Sequence, residues 1–350
     1  MISCDIELDV SEAVGLREAR IAASVMFPDP ESLRTRPIVC IAKPGAGYSK
    51  EYFSLDLPGP GSGAQASWFA ERGWIFVSVD HLGAGGSSRH DETSASDYRH
   101  LSLAGHAAES DTLRQLRAGT LNDGIPPIID PIVVGIGQSM GGCITIVQQA
   151  HYATYDGVAI LGYSAIHTSR PAAPGSPAYV RPWIPRDVQP QSGLLPQESN
   201  SFGMANRPQV ATAEESGDNL AAISTMRWGF HYDDVNPSVD DISDWPGRNG
   251  SPPPWATTSI PEITGTWCVA PGAVAPEAAA ISVPVLIAFG ERDACPDPRG
   301  EMRAYQSCSS LDLFICPRMG HMHNFASTRQ LLWRRIYAWG EWVRMHSGDD

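Results

Sequence analysis

The sequence predicts an α/β fold in which helices cover both faces of a mostly parallel, twisted sheet. Two observations support this prediction. Short segments that are apolar at almost every position alternate along the chain with segments of helical periodicity. Strands that are apolar on both faces are typical of parallel sheets buried between two layers of helices. The 350 residues are enough for one large core and an inserted region.

The predicted elements run from an opening antiparallel hairpin to a closing helix. The hairpin pairs residues 2–11, which alternate in polarity, with residues 19–27. Six further strands are predicted at 37–42, 74–80, 131–137, 157–163, 283–290 and 310–316. Helices are predicted at 66–73, at 104–121, from about 142 to 153, and after a cap at Ser327.

Residues 165–280 interrupt this alternation. They contain more than half of the chain's 29 prolines and half of its ten tryptophans. Because the segment is too apolar for a disordered linker, we predict an irregular lid inserted into a core of residues 1–164 and 281–350. A short helix is expected near 219–228. The lid side chains that are candidates for lining a substrate pocket are Trp183, Trp228 and His231.

Composition excludes several classes of partner and cofactor. A net charge of -14 without any run of Lys or Arg argues against binding to nucleic acid or to an anionic membrane surface. No segment has the pattern of a signal peptide or a membrane span. The seven scattered cysteines predict reduced thiols in a cytoplasmic protein. A disulfide between Cys308 and Cys316 is the alternative. No metal-ligand spacing is present. Gly83-Ala84-Gly85 lacks the rest of a dinucleotide fingerprint, so no cofactor is expected.

One pattern predicts a nucleophile. Gly137-Gln138-Ser139-Met140-Gly141 stands between an apolar strand and a helix. A turn this sharp exposes the serine hydroxyl, and it needs glycine at both flanking positions because a Cβ there would clash. Asp293 and His321 each follow a later strand. The carboxyl ends of parallel strands meet at one edge of a sheet, so the three side chains are expected to converge as nucleophile, orienting acid and general base.

Backbone N–H groups near the serine would hold the oxyanion of such a reaction. Met140 supplies one at the start of the helix, and Ala46 supplies another in the Gly-rich loop after the first buried strand. Gly47 and Tyr48 in the same loop are alternatives to Ala46, and Tyr48 is also a candidate pocket residue.

Motifs at separate places in the chain resemble those of α/β-hydrolase-fold serine hydrolases of the esterase or lactonase type. KPGAG resembles the loop after the family's third strand, although His-Gly is commoner where this chain has Pro44-Gly45. DHLGAGGSS is similar to the family's Asp-x-x-Gly-x-Gly-x-Ser loop, and GQSMG, GERD and MGHMHNF resemble its nucleophile, acid and histidine motifs. The resemblance covers residues 37–163 and 281–345. It implies a triad of Ser139, Asp293 and His321.

Two assignments keep alternatives. The resemblance favours His321 as the base because it follows Gly320 directly, at the usual interval before the last helix, whereas His323 would support the loop or contact the substrate. Asp293 is favoured over Glu291 as the acid of the triad. The alternative for Asp293 is a structural role as the N-cap of the helix that follows.

The expected reaction is hydrolysis of a carboxylic ester or lactone through an acyl-enzyme. A serine nucleophile argues against the family branches that use aspartate at the elbow, and the aromatic lid suggests a small-molecule substrate that is bulky and apolar or aromatic. Hydrolysis of a C–C bond beside a ketone uses the same triad and is the main alternative. Peptidase or acyltransferase activity and a non-catalytic binding protein are further alternatives. A homodimer is compatible with the sequence but not required by it.

Overall fold

The computed structural model describes residues 1–57, 61–90, 97–169, 228–235, 253–257 and 267–347, with Ala173, Trp183 and Thr264. Its strands are β1 (Ile2–Asp9), β2 (Arg20–Phe27), β3 (Ile38–Lys43), β4 (Ile75–Val79), β5 (Ile132–Gln138), β6 (Gly157–Leu161), β7 (Val285–Gly290) and β8 (Leu311–Cys316). Its α-helices are α1 (Ser11–Val14), α2 (Gln65–Ala70), α3 (Tyr98–Ala118), α4 (Met140–Tyr152), α5 (Ala275–Ala280) and α6 (Arg329–His346). Short 3-10 helices occupy Pro30–Ser32, Lys50–Phe53, Gly300–Ala304 and His323–Phe325.

The eight strands form one sheet in the order β1-β2-β4-β3-β5-β6-β7-β8. The β1–β2 hairpin is antiparallel, with Ile2 opposite Phe27, and β2 also runs antiparallel to β4. The other neighbouring strands are parallel, from β4 through β3 and β5 to β8. The predicted mostly parallel sheet is therefore confirmed.

Helices cover both faces of the sheet. Strands β3 to β7 are buried at every residue, as their uninterrupted apolar sequences require. One apolar cluster contains Cys143 and Ile144 of α4 together with Ala278 of α5. The other contains Phe69 of α2 and Trp339 of α6. Each large side chain buried in this way stabilises the fold by roughly 1.5–3 kcal/mol.

Several helix boundaries differ from those predicted. Helix α4 begins at Met140 and not near 142, because the turn at Ser139 leads directly into the helix. Helix α3 begins at Tyr98, where Asp97 caps it by accepting from the His100 N–H. Ser327 does not cap α6; its hydroxyl donates to Asp234 instead, 2.8 Å away.

The predicted insertion is described only in part. Of the predicted helix near 219–228, residues 219–227 lie outside the described residues, and 228–230 are helical. Helix α5 falls within the range assigned to the insertion but packs against α4, together with the apolar residues 267–270 that precede it.

All seven cysteines are described and none forms a disulfide, so the alternative pairing of Cys308 with Cys316 is not observed. Across the described residues, no helix has both the length and the apolar content that crossing a bilayer requires. Within the same part of the chain, no three His, Cys, Asp or Glu side chains are grouped as a metal site would need.

Candidate active site

Ser139 lies on a sharp turn between β5 and α4. Its backbone has φ 52° and ψ -118°, a positive-φ conformation that is unfavourable for any residue with a Cβ. Such a conformation costs about 1–3 kcal/mol and persists only where the surroundings impose it. Here β5 and α4 fix the two sides of the turn, and the Ser139 N–H donates to the Leu161 carbonyl at 2.8 Å.

The two glycines of the pattern are needed for close backbone contacts. A Cβ on Gly137 would lie 2.3 Å from the carbonyl oxygen of Gly141. A Cβ on Gly141 would lie 2.3 Å from the carbonyl oxygen of Lys43, at the end of the neighbouring strand β3. No side chain fits at these distances, so the turn and the end of β3 are packed backbone against backbone.

The structure brings the three predicted side chains together. Ser139 Oγ lies 3.0 Å from His321 Nε2, and His321 Nδ1 lies 2.6 Å from Asp293 Oδ1. An ionised carboxylate only accepts hydrogen bonds, so His321 donates from Nδ1 and its Nε2 keeps a lone pair facing the serine hydroxyl. This is the tautomer that a general base requires.

Asp293 is buried, and each of its two carboxylate oxygens accepts two hydrogen bonds. Oδ1 accepts from His321 and from the Ala294 N–H at 2.7 Å. Oδ2 accepts from the Gly290 N–H at 2.7 Å and from His323 Nε2 at 2.8 Å. Burial alone would raise the pKa of this carboxyl, but the two histidines outweigh it and hold the pKa well below its usual range. Asp293 is therefore an anion at neutral pH.

The neighbouring candidates occupy other positions. His323 contacts Asp293 and not Ser139, so the two histidines of the loop face different atoms. Glu291 accepts from the Arg318 N–H at 2.8 Å and from the Tyr232 hydroxyl at 3.4 Å, on the outer side of the loop.

The Gly-rich loop after β3 lies directly against the serine turn. A Cβ on Gly45 would lie 2.4 Å from Gln138 Oε1 and 3.1 Å from Ser139 Cβ. Within the described chain, the N–H groups of Ala46 and Met140 donate to no backbone or side-chain acceptor, whereas the Tyr48 N–H donates to the Gly45 carbonyl at 3.2 Å. Of the predicted oxyanion donors, Ala46, Met140 and the alternative Gly47 thus keep their N–H groups available, whereas Tyr48 does not.

Buried polar side chains brace this loop. His81 Nε2 lies 2.8 Å from the Pro44 carbonyl, and burial lowers the pKa of His81 to about 4, so the ring is neutral and donates. Asp80 accepts from the backbone N–H groups of Lys50 at 2.5 Å and Gly86 at 2.8 Å. Burial raises the pKa of Asp80 to about 6. Asp80 joins two loops, as expected of a structural turn residue.

Two segments of the predicted insertion dock onto the loops that carry the site. In residues 228–235, the Gly229 and Phe230 carbonyls accept from the N–H groups of His321 at 2.9 Å and Met322 at 3.0 Å. In residues 253–257, the Trp255 carbonyl accepts from the Ser49 N–H at 2.8 Å. No local sequence pattern predicts these contacts, because every residue carries a backbone carbonyl that can accept a hydrogen bond.

The predicted pocket residues lie at different places. Tyr48 is buried, and its ring stacks on Trp255 with centroids 5.5 Å apart. His231 is also buried and meets the ring of Phe325 edge-on at 5.9 Å. Trp228 stacks against the Arg292 guanidinium, 4.5 Å away. Trp183 is 71% exposed, and nothing in the described part of the chain ties it to Ser139.

Comparison with known proteins identifies the family. The model of the alpha/beta hydrolase family matches residues 38–332, which include all three residues of the hydrogen-bonded chain. No curated protein sequence matches the chain.

Solved structures share the fold at low sequence identity. The peroxisomal alpha-beta-hydrolase Lpx1 from Saccharomyces cerevisiae is 14% identical, with a TM-score of 0.58 over 99% of this chain and 88% of that one. A putative aryl esterase from Burkholderia cenocepacia is 14% identical, with a TM-score of 0.57 over 98% of each chain. A loop variant of a haloalkane dehalogenase from Bradyrhizobium elkanii is 14% identical, with a TM-score of 0.54 over 99% of each. These likenesses concern the fold alone, but the family model spans most of the sequence, and the chain belongs to the alpha/beta hydrolase family.

Proposed function

We propose that this protein is a serine hydrolase that cleaves a carboxylic ester or lactone through an acyl-enzyme. The observation that carries the proposal is the hydrogen-bonded chain from Ser139 through His321 to Asp293, at 3.0 and 2.6 Å. A strained backbone presents the serine hydroxyl, and the base beside it has its lone pair on the correct nitrogen.

In the acylation step, His321 Nε2 takes the hydroxyl proton while Ser139 Oγ forms a bond to the substrate carbonyl carbon. The negative charge that develops on the carbonyl oxygen is held by the N–H groups of Met140 and Ala46. Asp293 stabilises the imidazolium that results. The tetrahedral intermediate then expels the alkoxide, which takes the proton from His321 and leaves as an alcohol.

In the deacylation step, water takes the place of the alcohol. His321 removes a proton from water as the oxygen attacks the acyl carbon, and Ser139 Oγ leaves and takes the proton back. The products are a carboxylic acid and free enzyme; a lactone gives one hydroxy acid. No metal or cofactor takes part in these steps.

We propose a small-molecule substrate with a bulky apolar or aromatic acyl group. Aromatic rings surround the loops that carry the site: Tyr48 and Trp255 stack beside the proposed oxyanion donor, and Phe230 lies 5.4 Å from the His321 ring. The haloalkane dehalogenase branch is disfavoured because the elbow residue here is serine.

Labelling with a fluorophosphonate probe, followed by mass mapping of the modified peptide, tests the nucleophile. We expect label on Ser139 in the native protein and none in Ser139→Ala. Folded native protein without label on Ser139, or Ser139→Ala with undiminished turnover, would overturn the proposal.

A substrate panel tests the type of bond. It should contain p-nitrophenyl esters of increasing acyl size, aromatic lactones and vinylogous 1,5-diketones. We expect turnover of esters or lactones that favours bulky acyl groups. Turnover of the diketones alone would assign the same triad to C–C bond hydrolysis and reject the ester reaction.

A further inference from the structure

Asp293 binds two histidines, one on each carboxylate oxygen, and the mechanism uses only one of them. The second, His323, is buried and has its Nε2 2.8 Å from Oδ2. Resting on the proposed function, we propose that His323 is a positioning residue that acts through Asp293. It holds the carboxylate in the orientation that His321 needs and limits how strongly the carboxylate draws the His321 proton.

The hydrogen-bond pattern fixes which way His323 donates. Because ionised Asp293 is an acceptor only, the contact requires a proton on His323 Nε2. The other ring nitrogen, Nδ1, is buried and has no hydrogen-bond partner among the described residues. A neutral ring protonated at Nε2 satisfies both conditions, whereas a second proton on Nδ1 would bury an uncompensated donor.

This geometry also removes His323 from the role of base. A base needs a lone pair directed at the serine hydroxyl, but the Nε2 of His323 carries a proton and donates it in a hydrogen bond to the Asp293 carboxylate. His321 instead has Nε2 3.0 Å from Ser139 Oγ. The two histidines of the loop therefore divide the work: one exchanges protons with the serine, and the other anchors the acid.

Close packing makes the orientation of the carboxylate depend on both rings. Gly162, with φ 60°, presses its backbone against the group, so that a Cβ there would lie 3.1 Å from Asp293 Oδ1 and 3.2 Å from both His321 Nδ1 and His323 Cε1. Without His323, Oδ2 keeps only the Gly290 N–H as donor. The carboxylate would then be held on that side by one donor in place of two, so its alignment with His321 would be less tightly fixed.

The second donor also changes the charge that His321 feels. A hydrogen bond to Oδ2 spreads the negative charge of Asp293, so the imidazolium formed in the reaction is less strongly stabilised and returns its proton more readily. Among the described residues, Tyr52 and Cys295 also feel the charge of Asp293, and burial raises the pKa of both well above neutrality. The neighbouring guanidinium, that of Arg292, is paired with Asp233 at 2.6 Å. None of these three changes charge near neutral pH.

Two variants of one residue separate positioning from simple packing. His323→Gln places a non-titrating amide donor near the position of Nε2, whereas His323→Met fills similar volume without a donor. The readouts are kcat, KM and the acid limb of the kcat/KM profile, with thermal unfolding to verify folding. We expect His323→Gln to stay within about threefold of the native kcat. We expect His323→Met to lose about tenfold or more in kcat with KM nearly unchanged, and to move the acid limb up by about half to one pH unit.

These measurements distinguish a positioning role of His323 from a role in packing alone. A folded His323→Met protein with the native acid limb would overturn the inference, as would equal losses in both folded variants. The chemical shift of the Nδ1 proton of His321 in each variant reports the Asp293–His321 bond without any substrate, and we expect a change in His323→Met only. Failure of Ser139 labelling in the native protein rejects the proposed function instead, and this proton signal distinguishes the two failures.

Discussion

A buried ion pair next to the candidate active site gives the sharpest test of how the core supports the loop after β3. Lys43 Nζ, at the end of β3, lies 2.5 Å from Glu109 Oε1 in α3, and the two side chains are 2% and 0% exposed. The other carboxylate oxygen accepts from the Tyr155 hydroxyl at 2.6 Å and from Gln148 Nε2 at 2.7 Å. Lys43 also donates to the Tyr155 hydroxyl. The pair is therefore removed from water, and Tyr155 and Gln148 donate hydrogen bonds to its carboxylate.

Removing one partner should cost much more than removing both. Lys43→Met leaves the Glu109 carboxylate buried without its counter-ion, and breaking such pairs costs about 3–5 kcal/mol. Lys43→Met with Glu109→Leu removes both charges and leaves Tyr155 and Gln148 each without one acceptor, at about 1 kcal/mol per lost hydrogen bond. We therefore expect the double variant to lose only about 2 kcal/mol of unfolding free energy, less than the single variant.

Denaturant unfolding of the native protein, both single variants and the double variant closes a double-mutant cycle. We expect a coupling free energy of at least about 3 kcal/mol. Tyr155→Phe is the matched control, because it deletes a hydroxyl that makes two hydrogen bonds in the network and should cost about 2 kcal/mol without leaving either charge unpaired. Additive losses in the cycle, or a folded Lys43→Met protein that loses less than about 1 kcal/mol, would refute the reasoning.

Three further predictions follow from single contacts. Gly141→Ala places a Cβ 2.3 Å from a carbonyl oxygen, so we expect at least about 2 kcal/mol lower stability, seen in soluble yield and unfolding midpoint. Arg292→Met removes two hydrogen bonds to Asp233, at 2.8 and 2.6 Å, that hold residues 228–235 against the acid loop. We expect kcat to fall about three- to tenfold with under about 1 kcal/mol loss of stability, and an unchanged kcat would contradict this. Burial raises the pKa of Glu301 from 4.5 to about 7, so the folded state holds this proton more tightly and the group's contribution to stability falls as pH rises through that window. Glu301→Gln should flatten this part of the stability–pH curve, and an unchanged slope would reject the assignment.

The sheet and the hydrogen-bonded chain at its edge were predictable because their signals are local. An apolar run such as 131–137 can be recognised without knowing its neighbours, and its glycines announce the tight turn that follows. The position of Asp293 and His321 after later strands then places them at the same edge. Each of these steps uses only a few consecutive residues and one general rule about parallel sheets.

Other features depend on contacts between distant residues and left no trace in local patterns. In the sequence, Glu109 of α3 looks like a charged residue on the exposed face of a helix. Its burial becomes evident only when Lys43, which is distant in sequence, lies beside it as an ion-pair partner. The role of His323 was open because two histidines in one loop look equivalent until the carboxylate is placed between them. Ser327 looked like a helix cap, yet its hydroxyl is taken by Asp234, a residue of the insertion.

Two segments of the predicted insertion contact the loops that carry the candidate active site. The Gly229 carbonyl holds the N–H of His321, and the Trp255 carbonyl holds the N–H of Ser49 just beyond the loop of the proposed oxyanion donor. Both loops lie close to Ser139, and both donate main-chain hydrogen bonds to residues of the predicted insertion. The strained serine and its glycines contact β3, β5 and α4, whereas the acceptors for the His321 and Ser49 N–H groups come from residues 228–235 and 253–257. The positioning that the proposed general base catalysis requires therefore depends on both parts of the chain.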